Sequence, residues 1–289
     1  MGTSKGIPTP RGGRWPRAKR EINAGLAGGT DGPDSGTAGA GGAAQSGSPA
    51  AVVAAVVSAM GGLGLGVGQS RRSGTAGGGA GGGGRSGGGG GGGGRASGAQ
   101  ARRVGRAIAG LGGFGSAVQT RGLTEALREL DLGTLEGRPA VEIIARVSER
   151  LADGMDGVDA EILKMALNEA ILEAAQLEEE LGYTDLEQGL QAFLNDQGLG
   201  GLLEMFLTKL VSDLVTAAIF EHVDQKSESA NQTEAMLAGI ESVCRNKAHT
   251  TIEQYRTGGQ LNRTDWFGGA GRRLGQEMAE SILTELRTS

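Results

Sequence analysis

Hydrophobic residues recur with the period of an α-helix from about Gly122 to the end of the chain. Leu123, Leu127 and Leu130 share one face of a first predicted helix. Pro139 suits the first turn of a second helix. The apolar stripe predicted for that second helix consists of Val141, Ile144, Val147 and Leu151. The segment 153–157 is expected to end it.

Five further helices are predicted downstream. The first begins at Asp159 and runs to Leu181, with two apolar rows that indicate a central position. The rows are Ile162, Ala166, Ala170 and Ala174, and Leu163, Leu167 and Ile171. Thr184 and Glu187 form a capping-box pattern that opens the next helix. After an interruption at 198–201, helices are expected over 202–223, about 233–255 and about 270–287.

No alternating strand pattern interrupts these helices, so we expect an all-α body of six or seven helices over roughly residues 107–289. We divide this body into a core, residues 107–225, and a C-terminal helical extension, residues 226–289, packed on or following the core. About 180 residues is enough for one hydrophobic core.

The first 106 residues have a different composition. They hold 36 of the 57 glycines, and their 13 Lys and Arg against 3 Asp and Glu give a net charge of +10. The remainder holds 15 bases and 30 acids, a net charge of −15. Glycine loses the most backbone freedom on folding, and few apolar groups are available to offset that loss. We therefore predict a largely disordered, basic, glycine-rich N-terminal tail over 1–106.

An uncharged apolar patch at 50–67 interrupts this tail. A membrane span needs about 20 strongly apolar residues, whereas this segment is rich in alanine and ends in glycines. A short docking helix or a disordered adhesive patch is favoured. A membrane-associated segment and a true span remain as alternatives, and a membrane partner is not expected.

Candidate catalytic and metal groups are few. His222, His249 and Cys244 each lie in a helical pattern without metal-ligand spacing, and Cys244 is expected to be a half-buried thiol. The run Gly110–Gly115 matches the G-x-G-x-x-G pattern but lacks the preceding strand that nucleotide binding requires. No nucleophile, base and oxyanion donor come together, so we expect no catalytic residues, no metal, no cofactor and no enzyme activity.

A basic stretch near the N-terminus supports an alternative function. Residues 11–20 read RGGRWPRAKR, and further arginines follow at 71, 72, 102, 103 and 106. Such a tail could bind nucleic acid with a steep dependence on salt. The candidate contacts are Arg11, Arg14, Arg17, Lys19 and Arg20.

The first residues suggest a modification site. Methionine removal would leave Gly2 as the terminus, and Gly6 stands where N-myristoylation needs Ser or Thr. An α-amine titrates near pH 7.7–8, so a useful fraction is neutral and nucleophilic near pH 7. Gly2 is therefore a candidate substrate for a modifying enzyme.

Several motifs resemble the QatB family of the Qat anti-phage defence system. They are Met1-Gly2-Thr3-Ser4, the block RGLTEALRELDLGTLEGRP over 121–139, the segment 158–161 and the segment 188–206. The resemblance covers residues 1–4 and about 102–225.

The resemblance implies partners. Qat systems combine an ATPase, this component, a relative of the deazapurine-forming enzyme QueC and a TatD-like nuclease. QueC chemistry activates a deazaguanine carboxylate with ATP and couples it to an amine. The resemblance therefore implies a cytoplasmic, non-enzymatic component that docks a QueC-like enzyme and offers Gly2 as the acceptor amine. Thr3, Ser4, Arg138 and Pro139 are the expected partner contacts.

Overall fold

A computed structural model describes residues 14–28, 47–60, 94–154, 158–176 and 182–288. Every regular element in these ranges is a helix, which confirms the all-α prediction. The helices are α1 Trp15–Gly28, α2 Pro49–Met60, α3 Gly94–Arg121, α4 Leu123–Glu129, α5 Ala140–Leu151, α6 Val158–Ala175, α7 Tyr183–Asp196, α8 Gly198–Lys226, α9 Ala230–Thr257, α10 Gln260–Arg263 and α11 Gly269–Arg287, with a 3-10 turn at Gly133–Leu135.

The apolar periodicity correctly identified most of the core. Both rows predicted for α6 are buried, and so are Leu123, Leu127 and Leu130 around α4. The helix α6 packs against α5, α7 and α8, which confirms its central position. Alanines in one of its rows allow this close packing on several sides.

Two helices lie inside the stretch for which a disordered tail is predicted. Trp15, Ala18, Ile22 and Leu26 of α1 are buried, as are all four valines of α2. Each buried valine or isoleucine contributes roughly 1.5–3 kcal/mol, which offsets the ordering of these short segments. Residues 15–28 and 49–60 are therefore ordered helices within the tail that is predicted to be largely disordered. The parts of the tail at 1–13, 29–46 and 61–93 lie outside the described residues.

The apolar patch predicted at 50–67 is, in its described part, an intramolecular docking helix. α2 forms a hairpin with α1 and contacts α8, α9 and α11. Val52, Val53, Val56 and Val57 are fully shielded from solvent by these neighbours. Residues 61–67 of the patch lie outside the described residues.

The predicted domain boundaries do not separate the core. Residue 106 falls within α3, in which Ala101 and Val104 are buried. Residue 226 ends α8, but α9 packs along α8 and α11 packs along α3. A single cluster of buried side chains runs from Trp15 to Leu286. Hydrophobic contacts therefore cross both positions.

Glycines in α3 permit close contact with α11. A Cβ atom at Gly105 would come within 2.6 Å of the Gln276 backbone nitrogen, and one at Gly275 would collide with the Gly105 carbonyl oxygen. Further along α3, Gly112 lies against the Trp266 ring and Gly113 against the Phe267 ring. Each interior glycine costs about 1 kcal/mol relative to alanine, and here close packing offsets that cost. The G-x-G-x-x-G run is thus the middle of a packed helix.

Helix α7 begins differently from the predicted capping box. Gly182 precedes the helix, and its backbone N–H donates to Asp185 Oδ2 at 2.9 Å. Glu187 accepts from the Leu123 backbone N–H at 2.8 Å and so connects α7 to the start of α4. The prediction from Thr184 and Glu187 was wrong because a tertiary contact uses the Glu187 carboxylate. The predicted interruption at 198–201 also shrinks to Gln197, since α8 begins at Gly198.

One carboxyl group is held in an unfavourable environment within the α8 core face. Asp213 Oδ2 is buried and has no hydrogen-bond donor within the described part of the chain. Burial raises the pKa of Asp213 to about 6, and the charges of Glu169 and Glu241 add to this effect while Lys209 opposes it. Ionisation of Asp213 therefore destabilises the folded state.

The contact between α3 and α11 can be tested with two helical glycines. We expect Gly275→Ala to lower the free energy of unfolding by about 2–4 kcal/mol, because the added methyl group displaces backbone. Gly269→Ala is the control, since a Cβ there meets nothing within 4 Å. It should leave stability unchanged or raise it by at most about 1 kcal/mol. Urea unfolding followed by circular dichroism measures both, and equal effects of the two changes would contradict the packing described.

The pKa of Asp213 generates a pH-dependent prediction. Because its folded-state pKa is raised, its stabilising effect is complete only below about pH 4 and is lost as the pH rises through about 6. Asp213→Asn should therefore be more stable than the wild type by about 1–2 kcal/mol at pH 7.5, after allowance for partial solvent screening. This advantage should shrink steadily as the pH falls from 7.5 to about 4.5.

Urea unfolding over this pH range, compared with the exposed variant Asp224→Asn, measures the effect of Asp213 alone. A loss of stability in Asp213→Asn at pH 7.5 would contradict the electrostatic explanation.

Candidate partner-binding surfaces

Helix α1 anchors the N-terminal segment to the body. Trp15, Ala18, Ile22 and Leu26 recur at helical spacing and form its buried face. The helix packs on α2, α8 and α9. The chain that precedes Arg14 is thereby attached to a fixed point on the surface.

Polar contacts hold α1 at both of its ends. Arg14 Nη1 donates to the Ser58 carbonyl oxygen at 3.4 Å, near the C-terminus of α2. Toward the other end, His222 Nε2 lies 2.9 Å from Asn23 Oδ1. Burial lowers the pKa of His222, and the positive charges of Lys19 and Lys226 lower it further. The ring is therefore neutral at pH 7 and donates to Asn23 when its proton is on Nε2.

The predicted nucleic-acid contacts divide into two groups. Arg14, Arg17 and Arg20 are exposed on the outer face of α1, and Lys19 is half-buried. Arg11 lies outside the described residues. Arg17, Lys19 and Arg20 lie on α1, and Arg14 immediately precedes it.

The predicted modification site, Gly2, lies outside the described residues, as do Thr3 and Ser4. The only geometric constraint on these three residues is the length of chain to the anchor. Gly2 precedes Arg14 by 12 residues.

Arg138 and Pro139, the other predicted partner contacts, are exposed immediately before α5. Val141 follows them and is 63% exposed, the highest value among the large hydrophobic side chains of the described residues. The predicted stripe of α5 placed Val141 inside, and this was wrong. Ala140, Ile143, Ile144 and Val147 face the core, and Val141 points to solvent between these rows.

The sequence did not predict the arginine cluster that lies between α3 and α11. Arg102, Arg103 and Arg106 of α3 meet Arg272 and Gln276 of α11 around a cleft of about 400 Å³. The α3 arginines were noted in the sequence, whereas Arg272 lies more than 160 residues later. Only the close contact of Gly105 with Gly275 brings the two groups together.

Cys244 and His249 lie in different environments. Cys244 is fully buried, deeper than the half-buried position predicted, and burial raises the pKa of its thiol to about 12. Such a thiol is protonated at pH 7 and unreactive. His249 Nδ1 lies 3.0 Å from Glu204 Oε2 on the surface. No cluster of three His, Cys, Asp or Glu side chains suited to a metal occurs among the described residues.

The described helices were also compared with the requirements of a membrane span. None of them is both long enough and apolar enough to cross a bilayer. The apolar helix α2 has only 12 residues, and its valines are covered by protein.

Comparison with known proteins gives one family match. Residues 92–266 match the family model described as Qat anti-phage system associated protein QatB. No curated protein and no solved structure matches the chain. The match covers more than half of the chain, from the start of α3 to Trp266, and includes the arginines of α3 and the exposed start of α5. The chain therefore belongs to the QatB family and is a component of a Qat anti-phage system.

Proposed function

We propose that this chain is a non-enzymatic interaction component whose helical body docks a QueC-like enzyme and whose N-terminal arm, residues 1–13, presents Gly2 as the acceptor amine. The observation that carries this proposal is the burial of Trp15, Ala18, Ile22 and Leu26 directly after the arm. This buried face fixes the end of the arm on the body, so that the terminus can reach a docked partner.

The length of the arm suits delivery to a neighbouring active site. Twelve residues span at most about 45 Å when fully extended. A partner docked on the body within that distance would meet the amine at an effective concentration of about millimolar. Docking would thus convert a bimolecular coupling into a local one, so the amine needs little intrinsic affinity for the active site.

The chemistry requires a neutral amine and an activated acyl group. An α-amine with a pKa near 7.7–8 loses its proton far more readily than a lysine side chain at pH 7. Glycine also places no side chain beside the nucleophile. In the proposed step the Gly2 nitrogen attacks the ATP-activated carboxyl carbon of a deazaguanine, an amide bond forms, and the activating group leaves while the nitrogen loses a proton.

The start of α5 is the proposed docking surface on the body. Arg138, Pro139 and Val141 are exposed together within four residues. Proline and the first turn of a helix are conformationally restricted, so binding orders little additional chain. Val141 can bury its side chain against the partner, and the Arg138 guanidinium can pair with a carboxylate. The ATPase and the TatD-like nuclease are further proposed partners of the assembled pair.

Intact-mass and N-terminal peptide mass spectrometry test the modification of Gly2. From cells that express the complete system, we expect a terminus that begins at Gly2 and carries one deazaguanine acyl group. Cells that lack the QueC-like component should yield the same terminus without added mass.

The control is Gly2→Gln, because a large second residue retains Met1 and moves the amine by one position. It should remain unmodified. An unmodified Gly2 in cells that carry the full system and resist phage would overturn the proposal.

The docking surface can be tested separately with two exposed apolar residues. Val141→Asp should weaken binding of the purified QueC-like enzyme at least about tenfold, because it places a charge in the proposed interface. Met165→Asp is the matched control, since Met165 is 53% exposed on another helix. It should change the dissociation constant less than about twofold. Calorimetry measures both, and equal affinities of the two variants would exclude this surface.

A further inference from the structure

We propose that the cleft between α3 and α11 binds the phosphate backbone of nucleic acid without reading its sequence. The cleft is lined by Arg102, Arg103, Arg106, Arg272 and Gln276. This proposal is independent of the modification of Gly2 and of the docking surface on α5.

The cleft concentrates positive charge that no other described side chain neutralises. All four arginines are exposed, and none forms an ion pair or side-chain hydrogen bond with another described residue. By contrast, Arg121, Arg128, Arg146, Arg150, Arg245 and Arg256 each pair with a carboxylate. The planar guanidinium group donates two hydrogen bonds to phosphate oxygens, which makes such a cluster a ready phosphate site.

The backbones of α3 and α11 fix the relative positions of the arginines. Arg102 and Arg106 are one turn apart on α3, about 6 Å along the helix axis, and lie on the same side. Arg272 lies in the first turn of α11, where no acidic residue is present and the helix dipole adds positive potential. The Gly105–Gly275 contact fixes the separation of the two helices between these groups.

The lining favours phosphate over bases and over a protein partner. It contains no aromatic or apolar side chain, so it offers neither a base-stacking platform nor the hydrophobic centre of a protein interface. Contacts to phosphate alone position a nucleic acid but carry no sequence information. We therefore expect binding that depends on charge and salt.

The sequence that leads into α3 is basic. From Ser35 to Thr124 the chain contains no Asp or Glu and eight arginines. Two carboxylates of α11 lie close to the cleft. Glu280 accepts a hydrogen bond from the cleft residue Gln276. Burial raises the pKa of Tyr255 of α9, and the charges of Glu277 and Glu280 raise it further, so both carboxylates also act toward α9. At physiological salt, charges beyond about 8 Å are largely screened, so the local arginines dominate.

Fluorescence anisotropy tests the proposal. The full chain is titrated into labelled DNA of about 30 nucleotides, either single-stranded or duplex, at about 50 and about 200 mM salt. We expect Arg103→Glu/Arg272→Glu to weaken binding at least about tenfold and to reduce the salt slope by about two on the duplex. Arg263→Glu/Arg287→Glu makes the same change of net charge at exposed arginines outside the cleft. Its affinity should change less than about threefold.

A third variant separates charge from folding. Arg103→Lys/Arg272→Lys retains both charges but loses the paired guanidinium donors, so it should keep the wild-type salt slope and bind more tightly than Arg103→Glu/Arg272→Glu. Binding of only the duplex or only the single strand identifies the form recognised and supports the cleft, provided the Glu variant alone loses it. Three results would each overturn the proposal. They are equal losses in the two Glu variants, absence of binding at low salt, and unchanged DNA binding by Arg103→Glu/Arg272→Glu together with loss of a Qat component from that variant. The last result would favour an acidic protein partner.

Discussion

The architecture depends on the contact of two glycines, Gly105 and Gly275, where the backbones of α3 and α11 touch. Any side chain at Gly275 would separate the helices. The same contact seats Trp266 and Phe267 against the glycines further along α3, and Trp266 is held by its donation to the Leu261 carbonyl oxygen at 2.9 Å. The glycines of α3 thus permit close contact with α11. Most of the other glycines lie in the first 106 residues and produce the unusual composition of that stretch.

The contact has consequences for both proposed activities. It brings Arg272 beside the arginines of α3 and so creates a cleft lined by four bases. It also positions α11 to pack against α2, and α2 in turn supports α1. The base of the N-terminal arm and the arginine cleft therefore depend on the same core, although they serve different partners in our proposals.

The sequence predicted those helices whose own amphipathic pattern is strong. The buried rows of α6 and the leucines around α4 follow directly from a period of 3.6 residues. The glycine-rich composition concealed the short apolar face of α1, from Trp15 to Leu26, whereas the apolar patch at 50–67 indicated a short docking helix as one favoured alternative. Those faces are buried against each other and against helices far along the chain, for example where Asn23 meets His222. Local pattern carries no information about such contacts.

The candidate sites were less predictable than the fold. Arg138 and Pro139 were identified by family resemblance and are exposed, but Val141 was assigned to the core because its spacing fitted the stripe equally well. Glu187 fitted a capping pattern and instead bonds the start of α4. The arginine cleft required knowledge of which residue of α11 faces α3. A site formed by two helices that are far apart in the sequence depends on how those helices pack, and only the structure shows that packing.

Hydrogen exchange of the full chain, followed by mass spectrometry of its peptides, tests most directly whether α1 and α2 belong to the folded body. If they do, amides of residues 18–28 and 53–60 should exchange at rates close to those of α8, because they open only with the core. Exchange of both segments within seconds, while α3 and α8 remain protected, would contradict the account and remove the fixed base of the arm.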